Sequence, residues 1–83
     1  MYSLQYDRRI EKDLRPIPAS YRRLILERIE QLASEPRRPQ VEKLAGVGGY
    51  RLRVGDYRVL FTIDDRAKQV TIYRILHRRE AYR

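Results

Sequence analysis

The sequence predicts an α+β domain, an antiparallel sheet with two N-terminal helices packed on one face. Three observations carry this expectation. Residues Tyr50 to Phe61 alternate polar and apolar on either side of Gly55-Asp56, the pattern of a β-hairpin with a two-residue loop. Upstream, the apolar residues between Tyr21 and Ala33 recur at helical spacing instead. Strand-like and helix-like segments also fall in blocks, which separates α+β chains from those with strict strand–helix alternation.

Each element follows from its residues. Tyr2-Ser3-Leu4-Gln5-Tyr6 alternates and reads as a first strand. Asp7 caps a short helix to about Leu14, with Ile10 and Leu14 on one side. Pro16 and Pro18 break it. Ser20 caps a second helix, Tyr21 to about Ser34, which buries Tyr21, Leu24, Ile25, Ile29, Leu32 and Ala33. Arg22, Arg23, Glu27, Arg28 and Glu30 take its wet side. Pro36 and Pro39 end the helix, and Glu35 to Gln40 is a loop. Val41 to Gly49 reads as a connector, with Leu44 as its core anchor and turns at Gly46, Gly48 and Gly49. Strands are expected at Tyr50–Val54, Tyr57–Ile63 and about Gln69–Leu76. Asp64 and Asp65 read as turn residues of the loop joining the last two. Val70 and Ile72 have one parity in the last strand and Tyr73 and Ile75 the other, which a bulge or two buried faces would produce. His77 to Arg83 is a basic tail.

The hairpin loop sets the register. Val54 faces Tyr57, Arg53 faces Arg58, Leu52 faces Val59 and Arg51 faces Leu60. One face then carries Tyr50, Leu52, Val54, Tyr57, Val59 and Phe61, and the other gathers Arg51, Arg53 and Arg58. Opposed like charges destabilise a hairpin, so this face is expected to bind an anion.

Composition agrees. The chain of 83 residues makes one domain and has 19 Lys+Arg against 11 Asp+Glu, a net charge of +8. Sixteen of the basic residues are Arg, whose planar fork of donors fits phosphate oxygens in pairs. The balance points to nucleic acid or an acidic protein partner. There is no Cys and a single His, so neither a disulfide framework nor a zinc centre is expected. The sequence has no apolar run of membrane-spanning length and no signal-peptide pattern, so a cytoplasmic location is expected.

Neither a Ser-His-Asp set nor a phosphate-binding Gly loop is legible. What remains is Arg51, Arg53 and Arg58 with the tail residues His77, Arg78, Arg79 and Tyr82. That set suits RNA cleavage. The reaction needs an activated 2′-hydroxyl, stabilised charge on the phosphorane and a proton for the 5′-oxygen. Arg supplies charge but, with a pKa of about 12.5 or above, hardly a base. His77 is of a type that exchanges protons near neutral pH, and Tyr82 can share a proton or stack on a base. Both are also common packing residues.

Lys43-Leu44-Ala45-Gly46, the run Tyr50 to Val59, and Ile75-Leu76-His77-Arg78-Arg79-Glu80-Ala81-Tyr82 together resemble the RelE/ParE superfamily of toxins from type II toxin–antitoxin systems, closest to the RelE-like mRNA interferases. Order and spacing match over nearly the whole chain. The resemblance implies a RelE-like, microbial RNase-like β-α-α-β-β-β fold. It implies a metal-independent endoribonuclease, without cofactor, that cuts messenger RNA in the ribosomal A site. A cognate RelB-like antitoxin would neutralise it and mediate any DNA binding; no membrane partner is implied. The matching catalytic positions are Arg51, Arg53, Arg58, Arg78 and Tyr82. The first two are Lys in the best-known pattern. His77 resembles the His that other branches use and is the replacement candidate for the general base. Two alternatives remain: a ParE-like poison of gyrase that acts by binding protein without cutting RNA, and a non-toxic binding module, either a degenerate toxin or an RNA-binding protein, against which the complete basic set argues.

Overall fold

The computed structural model describes residues 1–46 and 48–81. Its elements are β1 (Ser3–Tyr6), α1 (Arg9–Leu14), α2 (Ala19–Gln31), β2 (Val41–Lys43), β3 (Tyr50–Val54), β4 (Tyr57–Asp64), β5 (Gln69–His77) and α3 (Arg78–Ala81). The strands form one sheet in the order β1-β5-β4-β3-β2. The α+β architecture is as expected. The sheet is mostly rather than wholly antiparallel, because β1 lies beside the last strand and runs parallel to it.

The hairpin register is the expected one, from Val54↔Tyr57 to Arg51↔Leu60. Its apolar face supplies Leu52, Val54, Val59 and Phe61 to the core, where they meet Ile25, Ile29 and Leu32 from α2 and its C-terminal turn. Each such side chain, fully buried, stabilises the fold by roughly 1.5–3 kcal/mol. In β5 the pairing skips one residue between Leu60 and Phe61: Leu60 pairs with Arg74 and Phe61 with Ile72. This bulge at Tyr73 resolves the parity conflict, since it turns Val70, Ile72 and Ile75 all toward the core.

Five local expectations are corrected. Val41–Lys43 is an edge strand, antiparallel to β3, rather than part of a connector. Leu44, the expected anchor, is half-buried and outside the core cluster. The second helix starts at Ala19 behind Pro18, whose carbonyl accepts the first helical N–H from Arg22 at 2.9 Å. Pro18, with extended backbone, takes the cap position, so Ser20 lies inside the first turn and does not cap the helix. The helix stops at Gln31, whose carbonyl accepts a hydrogen bond from Ser34 Oγ at 3.1 Å. Residues 78–81 of the expected tail form a short helix.

Helix α1 covers a sheet edge. Beyond Ile72, β5 has no partner from β1. Asp7 N–H donates to Ile72 O at 2.9 Å and its carboxylate receives the Arg9 N–H at 2.9 Å in an Asx turn just ahead of α1, while the cap position itself is Arg8 and not the expected Asp7. Asp13, near the end of α1, accepts the Ile75 N–H at 2.9 Å and Arg74 Nε at 3.0 Å. A carboxylate thus satisfies a backbone donor on the exposed part of the edge.

Candidate functional site

Arg51, Arg53 and Arg58 meet on the sheet face that the helices leave bare, as the hairpin alternation requires. Together with Pro39, Gln40 and Glu42 they line a small cleft of about 80 Å³. Three of its six lining residues are arginines, whose planar donor forks match the oxygens of a phosphate group.

The arginines are held differently. Arg58 is buried, with only 5% of its surface exposed. Its Nη1 donates to Gly55 O at 2.8 Å and to Tyr57 O at 2.9 Å. The turn that reverses the hairpin therefore also fixes this guanidinium. Gly55 adopts φ +57°, a conformation that glycine takes without steric cost. Arg51 Nη2 donates to Glu42 Oε2 at 2.5 Å across the β2–β3 ladder. Arg53 is exposed at the mouth, its backbone N–H bound to Gln40 O at 3.2 Å.

Glu42 is the residue that sequence reasoning missed. The hydrogen bond from Arg51, with the charges of Arg51, Arg53 and Arg58, holds its carboxyl below the ordinary carboxylate range. Reading Val41-Glu42-Lys43 as a strand opposite Leu52-Arg51-Tyr50 would have placed it. A three-residue strand, however, is too short to show a period.

The loop over residues 35–40 forms the other wall, and it is pinned from behind. Arg37 makes two hydrogen bonds to Asp65, at 3.0 and 2.8 Å, and its guanidinium lies 5.5 Å from the centre of the Tyr50 ring. Tyr2 Oη donates to the same carboxylate at 2.6 Å. The bonds from Arg37, then that from Tyr2, pull the Asp65 carboxyl down to about 2. Asp65 is therefore more than the turn residue expected of it, whereas Asp64 accepts the Ala67 N–H within the turn.

The tail candidates stand elsewhere. Arg78 opens α3 beside the hairpin turn: its N–H donates to Asp56 O at 2.7 Å and its Nε lies 3.8 Å from Asp56 Oδ1. His77 pairs with Tyr57, not with Arg58, and its ring meets the Tyr57 ring edge-on at 5.5 Å. The bulge at Tyr73 shifts the parity of β5, so His77 points to the core side and Leu76 lies opposite Arg58. The structure thus brings Arg51, Arg53 and Arg58 together, sets Arg78 at the same end of the sheet and turns His77 away. Tyr82 lies outside the described residues. Among the described residues no group of three or more His, Cys, Asp or Glu is arranged to hold a metal ion, and no helix is long and apolar enough to cross a membrane.

Comparison with known proteins gives a consistent picture. A family model for the ParE toxin of type II toxin–antitoxin system, parDE, matches residues 4–82. Toxin RelG of Mycobacterium tuberculosis is 33% identical over 86 residues, covering 99% of this chain and 97% of that protein. Among solved structures, the RelBE2 toxin–antitoxin complex of the same organism superposes with a TM-score of 0.83 at 29% identity, over 92% of this chain and 96% of the other. The archaeal RelE–RelB complex of Pyrococcus horikoshii OT3 gives 0.82 at 32% identity, over 93% and 94%.

Proposed function

This chain belongs to the ParE toxin family of type II toxin–antitoxin systems, of RelE/ParE type, and we propose that it inhibits translation as a ribosome-dependent, metal-independent endoribonuclease acting on messenger RNA in the cytoplasm. One observation carries this reading. Arg51, Arg53 and Arg58 converge on one small cleft, and Arg58 is locked there by two carbonyls of its own turn.

The chemistry follows from the groups present. Arg51 and Arg53 bind the non-bridging oxygens of the scissile phosphodiester. The 2′-oxygen attacks phosphorus, the bond to the 5′-oxygen breaks, and the products are a 2′,3′-cyclic phosphate and a 5′-hydroxyl. Arg58, which needs no reorganisation, stabilises the charge that builds on the phosphorane. The 2′-hydroxyl proton goes to Glu42, the non-arginine titratable group that lines the cleft. A bound phosphodiester offsets the positive charge that depresses Glu42, and so makes it a better base. Arg78 and Tyr82 keep the roles the resemblance implies, added charge and either a proton for the leaving oxygen or stacking on a base.

A RelB-like antitoxin is the partner this reading requires, and the two solved relatives are both complexes of that kind. An acidic segment that folds on binding would cover the arginine face. The family description also favours a second reading, a ParE-like poison of gyrase that does not cut RNA. Mapping messenger 5′ ends by primer extension in a translation reaction, with and without ribosomes, separates the two. New ends only with ribosomes support the nuclease; intact messenger with accumulating gyrase–DNA breaks supports the poison.

A further inference from the structure

His77 faces away from the arginine cleft, and its neighbours say what it does instead. Its ring meets Tyr57 edge-on at 5.5 Å, and Tyr57 meets Tyr21 of α2 edge-on at 5.0 Å. These rings form a continuous chain from β5 through β4 to α2, beneath the Gly55-Asp56 turn. Tyr21 Oη fills the space that Gly55 leaves by lacking a side chain; a Cβ there would overlap it. The Asp56 N–H also donates to Tyr21 Oη, at 3.4 Å. On the other side of the same turn, Gly55 O and Tyr57 O hold Nη1 of Arg58. The turn is thus clamped between an aromatic chain and the guanidinium it aims.

The surroundings of His77 fit that place. Its Nδ1 accepts the Arg79 N–H at 3.3 Å, at the start of α3. The recess it borders is lined by Lys12, Asp13 and Glu80, not by Arg51, Arg53 or Arg58.

We propose that His77 is a positioning residue: through Tyr57 and Tyr21 it fixes the hairpin turn whose carbonyls orient Arg58, and it carries no proton in the cleavage. This rests on the reading of the arginine cleft as the place where RNA is cut. It asks of position 77 an aromatic ring of the right shape, not an imidazole.

The test is single-turnover cleavage of a defined messenger on purified ribosomes, by the full chain, across pH 6–9. Wild type is compared with His77→Ala, His77→Phe, Tyr21→Ala and Tyr21→Phe, each checked by thermal melting. His77→Ala is expected to lose roughly tenfold or more in cleavage rate, since small misplacements of a charged group are costly. His77→Phe is expected to recover most of that loss, with a pH profile superimposable on wild type. Tyr21→Ala, remote from the cleft, should reproduce the His77→Ala loss, and Tyr21→Phe should not. A folded His77→Phe as inactive as His77→Ala, or one whose pH profile lacks a limb, overturns the proposal. So does a folded Tyr21→Ala that cuts like wild type. Wild type leaving the messenger intact would instead refute the cleavage reading itself, which is a separate result.

Discussion

The Glu42 carboxylate lies 2.5 Å from Arg51 Nη2, directly across the ladder between β2 and β3. Three guanidinium groups on one small surface repel one another, and this carboxylate offsets part of that repulsion while the cleft holds no RNA. It is 68% exposed at its side chain, so the pair is a solvent-screened contact and not a buried ion pair. Its consequence is chemical rather than structural. Glu42 is the proposed acceptor for the 2′-hydroxyl proton, and it also competes with an incoming phosphate for Arg51.

Those two roles separate in Glu42→Gln. Removing the charge should tighten binding of a short, uncleavable RNA by roughly fivefold, the scale of one unit charge at contact in water. Removing the base should slow cleavage by about 10²-fold or more. Fluorescence anisotropy and single-turnover cleavage read the two effects. Tighter binding with undiminished cleavage would assign the base elsewhere.

Arg58→Lys keeps the charge, but an ammonium held by Gly55 O and Tyr57 O, the two carbonyls that share Nη1 of Arg58, lacks the planar fork to face a phosphate at the same time. Cleavage should fall by about 10²-fold while RNA binding changes little. Arg58→Ala should also lose about 1–3 kcal/mol of stability, because the turn carbonyls lose a buried donor. Thermal melting and cleavage assays on the same preparations check both.

Gly55→Ala meets two obstacles, the positive φ and the Tyr21 hydroxyl. It should destabilise the fold by about 1–3 kcal/mol. Tyr21→Phe removes one of the obstacles, so the double variant should be less destabilised than the two single effects summed. Urea unfolding of the four proteins in the cycle measures the coupling. Simple additivity would show that the Tyr21 hydroxyl does not close the space beneath Gly55.

Acid should weaken the hold on the cleft wall. Asp65 titrates at about 2 in the folded chain against an ordinary 3.8. A depressed carboxylate contributes stability above its unfolded pKa and loses it as pH falls through the folded value. Stability should therefore decline from about pH 4 to about pH 2. Asp7 and Glu42 are also depressed and titrate in the same direction. The share of Asp65 is read as the difference between wild type and Asp65→Asn, whose acid limb should be shallower. Identical limbs would contradict the role given to the Arg37–Asp65 contact.

Much of this arrangement was legible in the residues. A two-residue turn at Gly55-Asp56 admits one register, and that register alone puts Arg51, Arg53 and Arg58 on one face. Membership of the family was legible from the same run and from the tail. Other features depend on tertiary context. Three residues, Val41-Glu42-Lys43, carry no periodicity of their own and become a strand only because β3 offers an edge. The direction of His77 hangs on a single unpaired residue, Tyr73: without that bulge His77 would share the parity of the cleft face, and with it the ring turns to Tyr57. The bond from Arg37 to Asp65 joins residues 28 apart in sequence, and no local pattern announces it.

Whether the arginine cleft cuts RNA is decided by cleavage of a defined messenger on purified ribosomes by wild type and Arg58→Ala, with the new 5′ ends mapped. Wild type should make ribosome-dependent cuts, and a folded Arg58→Ala should lose them by at least about 10²-fold. Cuts of equal strength from both proteins, or none from wild type, would contradict cleavage at this site.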